Sequence, residues 1–376
     1  MGTDARAQVE QLDGPDGLGG FGGFDELAIK VRSGEPLSHE DGLALYGSAD
    51  LAGLGGLAHE VRTRRNGDTV SFAVERVLEI TERTDALEAV RRATAWAGEG
   101  ATTLRLRAGA ELAPESAVRV VGALRSALPD PVAVRGFTVA DVVRFAALSG
   151  AGEGGVLEEL AAAGLSALSW DEPRQSTGDA GDAGDTAGTV GTAGTAGGPG
   201  LSWADEERTL RLAHARGLPT PATLYFGYGE AAGDRVGRAL ALRALQQETG
   251  GFDVLVPLSP GAPHGVTGAE ILTTFAVSRL LCDNVPHLSA SWVPHGEQTA
   301  QLVLQHGADE LSGPVAENAA QAGALGEPGV LVREELLTLI RDSGFRPVER
   351  DARRGVLRSY EGLDPERREA PQPMRL

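Results

Sequence analysis

Sulfur is almost missing from this chain. Cys282 is the one cysteine in 376 residues, so no intrachain disulfide can form. Nor can several thiolates of the chain share a metal or cluster. Lysine is equally scarce: Lys30 stands alone amid abundant arginine, which confines any lysine Schiff base to that position. The arginine bias, with the Ala and Gly excess, reads as GC-rich coding rather than chemistry. A surplus of positive charge is also lacking. The net charge of −19 excludes non-specific nucleic-acid binding and disfavours an anionic membrane face. No run reaches the ~20 apolar residues that span a bilayer. Residues 1–23 are polar and Gly-rich without an apolar signal core, so the expected compartment is the cytoplasm.

What is present is a core-forming chain with an ordinary apolar content, 41%. Short β-prone runs recur at "VSFAV", "TTLRLR", "PVAVR", "LSALSW", "PATLYFG", "FDVLVPL", "PHLSASWV" and "ADEL", with helical patterns between them. Thr138 with Asp141, Ser202 with Asp205 and Thr267 with Glu270 have the spacing of capping boxes. Gly217 follows a helix at 203–216 as a C-cap would. Eight strand–helix units predict an α/β fold, a (β/α)₈ TIM-type barrel over 26–351, preceded by helices near 39–47 and 49–64. Residues 1–25 are expected to be a disordered tail and 352–376 a loose one. The Gly/Ala/Thr/Asp stretch 171–200 reads as a disordered low-complexity insert, since it buries too little apolar area to offset its ordering entropy.

Whole phrases carry a resemblance. "LYGSADLAGLGGLAHEVR" (45–62), "RRNGDTVSFAVER" (64–76), "LAHARGLPTPATLYFGYGE" (212–230), "LRALQQETGGFDVLVPLSP" (242–260) and "AVSRLLCDNVPHLSASWVPHGEQTAQLVLQHGADELSGPVAEN" (276–318) keep order and spacing. They resemble the menaquinone-pathway radical SAM enzymes: aminofutalosine synthase, dehypoxanthine futalosine cyclase and, more distantly, FO synthase. The closing "PVERD" leans toward aminofutalosine synthase.

The resemblance implies a Cys-x-x-x-Cys-x-x-Cys loop after the first strand, holding a [4Fe–4S] cluster whose open iron takes S-adenosylmethionine. Here Ile80-Thr81-Glu82 leads into a helix at Asp85, and all three cysteines are gone with the loop. No cofactor is therefore expected in this chain. Other family positions depart as well. A Gly-Gly pair after the second strand is replaced by Arg107-Ala108-Gly109. A Gly-rich segment after the fourth strand gives way to the insert. Tyr-Gly-His-x-Glu becomes Phe226-Gly227-Tyr228-Gly229-Glu230, which keeps Glu230 and loses the histidine. "PLSPGAPHG" lacks the fuller polar loop expected after the sixth strand.

Candidate ligand-binding residues lie at the expected strand ends, each beside a plainer reading. Arg107 and Arg135 could clamp a carboxylate or pair across the barrel. Gly109 marks a close approach of the backbone. Tyr225 and Trp292 could stack on a ring or simply pack. Glu230 could hold a ribose, act as a base or favour a helix N-terminus. His264, His287 and His295 fall near the sixth and seventh strand ends without metal-ligand spacing. Cys282 reads as core and Asp309 as structural. No catalytic residue and no metal ligand is assigned.

The leading expectation is a degenerate aminofutalosine synthase-like protein, a pseudoenzyme not active alone. It would serve as a partner or regulator beside other menaquinone-pathway enzymes or an intact paralogue. The alternatives are an active radical SAM transferase that adds an adenosyl group to an enolpyruvyl benzoate with help from another chain, and a small-molecule binding barrel.

Overall fold

A computed structural model describes residues 20–170, 201–260, 266–326 and 329–360. The 171–200 insert and His264 lie outside the described residues. Helices α1 (Gly20–Ser33), α2 (His39–Tyr46) and α3 (Leu51–Asn66) come first. Then follow β1 (Thr69–Phe72), β2 (Glu75–Ile80), α4 (Ala86–Gly98), β3 (Thr103–Ala108), α5 (Pro114–Ala127), β4 (Ala133–Gly136), α6 (Val139–Ser149) and α7 (Gly152–Ala163). The second half holds α8 (Trp203–His214), β5 (Thr220–Tyr225), α9 (Ala232–Thr249), β6 (Phe252–Leu258), α10 (Gly268–Leu281), β7 (Ser289–Ser291) and α11 (Trp292–His295). After α12 (Glu297–Val303) come β8 (Glu310–Ser312), β9 (Val315–Ala316), α13 (Ala319–Leu325), β10 (Leu331–Val332), α14 (Arg333–Asp342), β11 (Arg346–Arg350) and β12 (Val356–Ser359).

Side-chain chemistry explains several of these boundaries. Thr138 and Asp141 form the predicted box on α6, each accepting from the other's backbone N–H at 3.1 and 3.0 Å. Ser202 and Thr267 accept from the Asp205 and Glu270 amides at 3.2 and 3.1 Å. Glu270 does not return the bond, because Arg235 takes its carboxylate at 2.6 Å. Helix α8 stops at His214, and Gly217 adopts the left-handed φ of 70° that glycine tolerates best.

Eight strand positions follow one another in chain order. Strands β2, β3 and β4 pair in parallel, and Arg135 bridges to Ala167, all that forms of the predicted fourth strand. Leu168 N–H reaches Pro219 O at 3.1 Å beside β5, which pairs with β6. Leu255 bridges to Leu288 just before β7, and β7 pairs with β8. The seam from β8 back to β2 has no strand ladder among the described residues; β8 pairs instead with β1, which runs into β2. The architecture is the expected α/β barrel order, with an open seam.

Two boundaries differ from the sequence reading among the described residues. Helix α1 begins at Gly20, inside the stretch expected to be disordered, and buries Leu27, Ala28 and Val31. The tail expected to be loose from 352 turns back as β12, antiparallel to β11. Outward faces of the strands carry the core: Leu78, Ile80, Leu104, Leu106 and Val134 pack with α4–α7, while Ala222, Leu255, Ala290 and Leu311 pack with α3, α9 and α10. Strand alternation then turns Glu75, Val77, Glu79, Thr103, Arg105 and Arg107 to the inside.

Candidate functional site at the barrel mouth

The turn after β2 is where a cluster loop would emanate, and it is closed on itself. Thr84 N–H donates to Thr81 O at 3.0 Å, and Thr81 N–H donates to Thr84 Oγ1 at 2.8 Å. Asp85 is the N-cap of α4, its Oδ1 accepting from Leu87 and Glu88 amides at 2.7 and 3.2 Å. Glu82 leaves the turn sideways. Its carboxylate accepts from the Ala113 amide at 2.6 Å and Ser116 Oγ at 3.2 Å, filling the N-terminus of α5, where Ala113 supplies no side-chain cap. A negative group thus stabilises a helix end and ties the first two strand–helix units together.

Gly109 lies against this turn. Its N–H donates to Ile80 O at 2.7 Å, and a Cβ there would stand 2.9 Å from Thr81 Cγ2. The close approach is with the strand end itself. Arg107, two residues earlier on the inner face of β3, is half-buried, and no hydrogen bond or ion pair reaches it among the described residues. Arg135 differs. It is 5% exposed and donates to Asp253 at 3.0 Å across the barrel, so the pairing alternative describes it and the clamp for an outside carboxylate does not.

Glu230 is fully engaged. It accepts from the Gly227 and Tyr228 amides at 2.8 Å each and from Arg235, which also holds Glu270. This buried fork shapes the β5–α9 loop, whose Gly227 and Gly229 have φ of 83° and 93°, and engages both carboxylate oxygens. Burial among these groups pushes the Tyr46 hydroxyl above its ordinary range. Trp292 donates to Gly329 O at 2.7 Å, is 2% exposed and covers Gly313, a packing role. Tyr225 is half-buried and meets Tyr228 edge-on with centroids 6.3 Å apart.

His287 and His295 have separate partners. His287 pairs through Nδ1 with Asp309 at 2.6 Å, and Asp309 also accepts from Arg279 and from the Leu288 amide at 2.8 Å. His295 lies between Phe226 and Phe275, its Nδ1 3.4 Å from Ser259 Oγ. Desolvation lowers its pKa to about 4, keeping the ring neutral. Among the described residues no group of three His, Cys, Asp or Glu side chains could hold a metal ion. Cys282 caps the end of α10, 1% exposed, its thiol donating to Ala239 O at 3.2 Å and pushed up to about 12 by burial. It is the core cysteine the sequence suggested.

Sequence reasoning missed the floor of the barrel. Arg105 pairs with Glu75 at 2.7 Å and donates to Trp170 O at 3.2 Å. Glu310, 1% exposed, is held far below the usual carboxylate range despite burial, because Arg350 and Arg354 flank it at 2.7 and 2.5 Å. The signal that could have revealed this floor is "TLRLR", whose arginines alternate onto one face of a strand.

The CofH/MqnC C-terminal region family profile matches residues 255–361. Aminodeoxyfutalosine synthase of Streptomyces coelicolor is 44% identical over 401 aligned residues, covering 93% of this chain and 98% of that protein. The Thermus thermophilus protein of the same name is 30% identical, covering 87% and 94%. Among solved structures, the FeFe-hydrogenase maturase HydG from Carboxydothermus hydrogenoformans superposes with a TM-score of 0.62 at 15% identity, covering 88% of this chain and 80% of that one. That last likeness supports the fold alone. The near-full-length identity to the synthases settles the lineage: this chain belongs to the menaquinone-pathway radical SAM family.

Proposed function

We propose that this chain is a cluster-less member of its family, without radical chemistry of its own, acting as a partner or regulator beside an intact paralogue or another enzyme of the futalosine route. The observation that carries this reading is the five-residue passage Thr81–Asp85. The Thr81, Arg83 and Thr84 amides are paired within the turn, and no thiol lies within it. A [4Fe–4S] site needs three thiolates. The one cysteine is sealed under α9 and α10, with its thiol kept protonated. The residues present do not fit the cluster. The alignment length is what a deletion would leave. The alignment runs over 401 positions while drawing on 93% of 376 residues, so the Streptomyces relative carries residues with no counterpart here.

The scaffold itself is sound, which favours retention for binding over decay. The mouth is hydrogen-bonded, the outward strand faces are dry, and the acidic partners of the buried arginines are in place. Reductive incubation with S-adenosylmethionine after anaerobic treatment with iron and sulfide tests the reading. It predicts no 5′-deoxyadenosine and no adenosylated product, alone or in the presence of an enolpyruvyl benzoate. Turnover by the single purified polypeptide would overturn it.

A further inference from the structure

Three helices end together on the outside of the barrel. Helix α3 hands over to β1 and α10 to β7, so their C-termini lie at the strand ends opposite the mouth. The C-terminus of α1 joins them, and the three line a cleft of about 290 Å³. Its floor is apolar: Val31, Leu37 and Leu280 are buried and Val61 is half-buried. Its rim is charged, with Glu35, Arg64, Arg65 and Asp283 all exposed. The volume falls at the lower limit of small-molecule pockets, roughly 300 Å³, which suits a body of amino-acid size.

Backbone chemistry fixes the rim. At the end of α1 the Gly34 N–H donates to Val31 O at 3.2 Å and the Glu35 N–H to Lys30 O at 3.0 Å. These are the paired bonds of a Schellman turn, with Gly34 at a φ of 76°. Pro36 follows and stiffens the exit, so Glu35 is held at the lip. On the far side Arg65 Nη1 donates to Asp283 O and, at 3.2 Å, to Val285 O, which fastens the end of α10 and with it Asp283. Arg64 touches Arg32 O at 3.5 Å, while its acidic neighbour one turn earlier, Glu60, is held by Arg32 in a fork of 2.8 and 2.9 Å. Two cations and two carboxylates thus line one small cleft, yet no ion pair joins them among the described residues. Charges of both signs, held apart over an apolar floor, match a ligand that itself carries both signs.

We propose that this cleft binds a free aliphatic α-amino acid as its zwitterion. The carboxylate meets the Arg64 and Arg65 guanidiniums, the ammonium meets Glu35 and Asp283, and a branched side chain lies on the apolar floor. The three helix C-termini, each the negative end of its dipole, add to the attraction for the ammonium. A rim already in place keeps the ordering cost of binding low. The site lies at the opposite end from the mouth and does not depend on whether the chain carries a cluster.

The test titrates the full-length protein with L-leucine, glycine, N-acetyl-L-leucine and L-leucinamide, read by calorimetry and by the thermal midpoint. Leucine should bind saturably and raise the midpoint, as a ligand of the folded state must. Glycine lacks the apolar body, and each derivative lacks one charge and mimics one end of a peptide; all three should bind at least tenfold more weakly. Arg64→Glu and Asp283→Asn should each weaken leucine at least tenfold with the unliganded midpoint unchanged, since both side chains are exposed. No leucine binding at millimolar concentration, equal binding of glycine or of either derivative, or an unchanged affinity in either variant overturns the proposal. None of these readouts involves iron, so its failure and that of the cluster-less reading are separable.

Discussion

At the scale of single residues, environment rather than identity decides what each candidate does. Glu230 has the residue type of a base, but two amides and an arginine consume its oxygens. His295 has the residue type of a ligand, but two phenylalanine rings and burial keep it neutral. That neutrality has a pH signature. A histidine with a folded pKa of about 4 against 6.5 unfolded lets the unfolded state bind the proton first. Stability is then whole above pH 6.5 and falls as the pH drops toward 4, by about 3 kcal/mol from this residue. His214, also lowered to about 4 by burial, acts in the same window. Urea midpoints should be level from pH 8 to 7 and decline from 6.5 to 4.5, and His295→Phe should roughly halve the decline. An equal slope in that variant would contradict the assignment. The depressed Glu310 also favours the folded state above the ordinary carboxylate range, with its loss confined to lower pH.

At the scale of elements, the β2–α4 connection shows how a short strand-to-helix turn is held. The strand end, a threonine-stapled turn and an aspartate cap occupy Ile80 to Asp85, and Glu82 fastens the neighbouring helix. Asp85→Ala removes a cap and Glu82→Ala a carboxylate at a helix end; each should cost about 1 kcal/mol in urea unfolding. No loss in either would mean the turn is not held as described. Elements were also the level most legible in the sequence. The run ending at Ile80, the start of α4 after Asp85, and the Thr138 box follow from local pattern and capping chemistry. The fourth strand was less legible because it forms only a bridge at Ala167, and the tail was misjudged because β12 gains its order by pairing with β11, not from its own exposed residues.

At the scale of the whole molecule, the barrel order could be read from eight recurring units, while the charged floor could not. Arg135 and Asp253 lie 118 residues apart in the chain and Glu310 and Arg350 lie 40 apart, and sequence spacing carries no trace of such pairings. The family likeness is equally global, spread across phrases from 45 to 351, whereas the proposed loss of radical chemistry rests chiefly on one five-residue turn. Fold and chemistry are separable, since function lives in sites carried on a scaffold, and the proposal of a cluster-less barrel rests on that separation. Iron and acid-labile sulfide analysis of the anaerobically reconstituted, desalted single chain, with electron paramagnetic resonance after reduction, tests this most directly. The account predicts far less than one iron per chain and no cluster signal; close to four irons and four sulfides per chain with a reduced-cluster spectrum would contradict it.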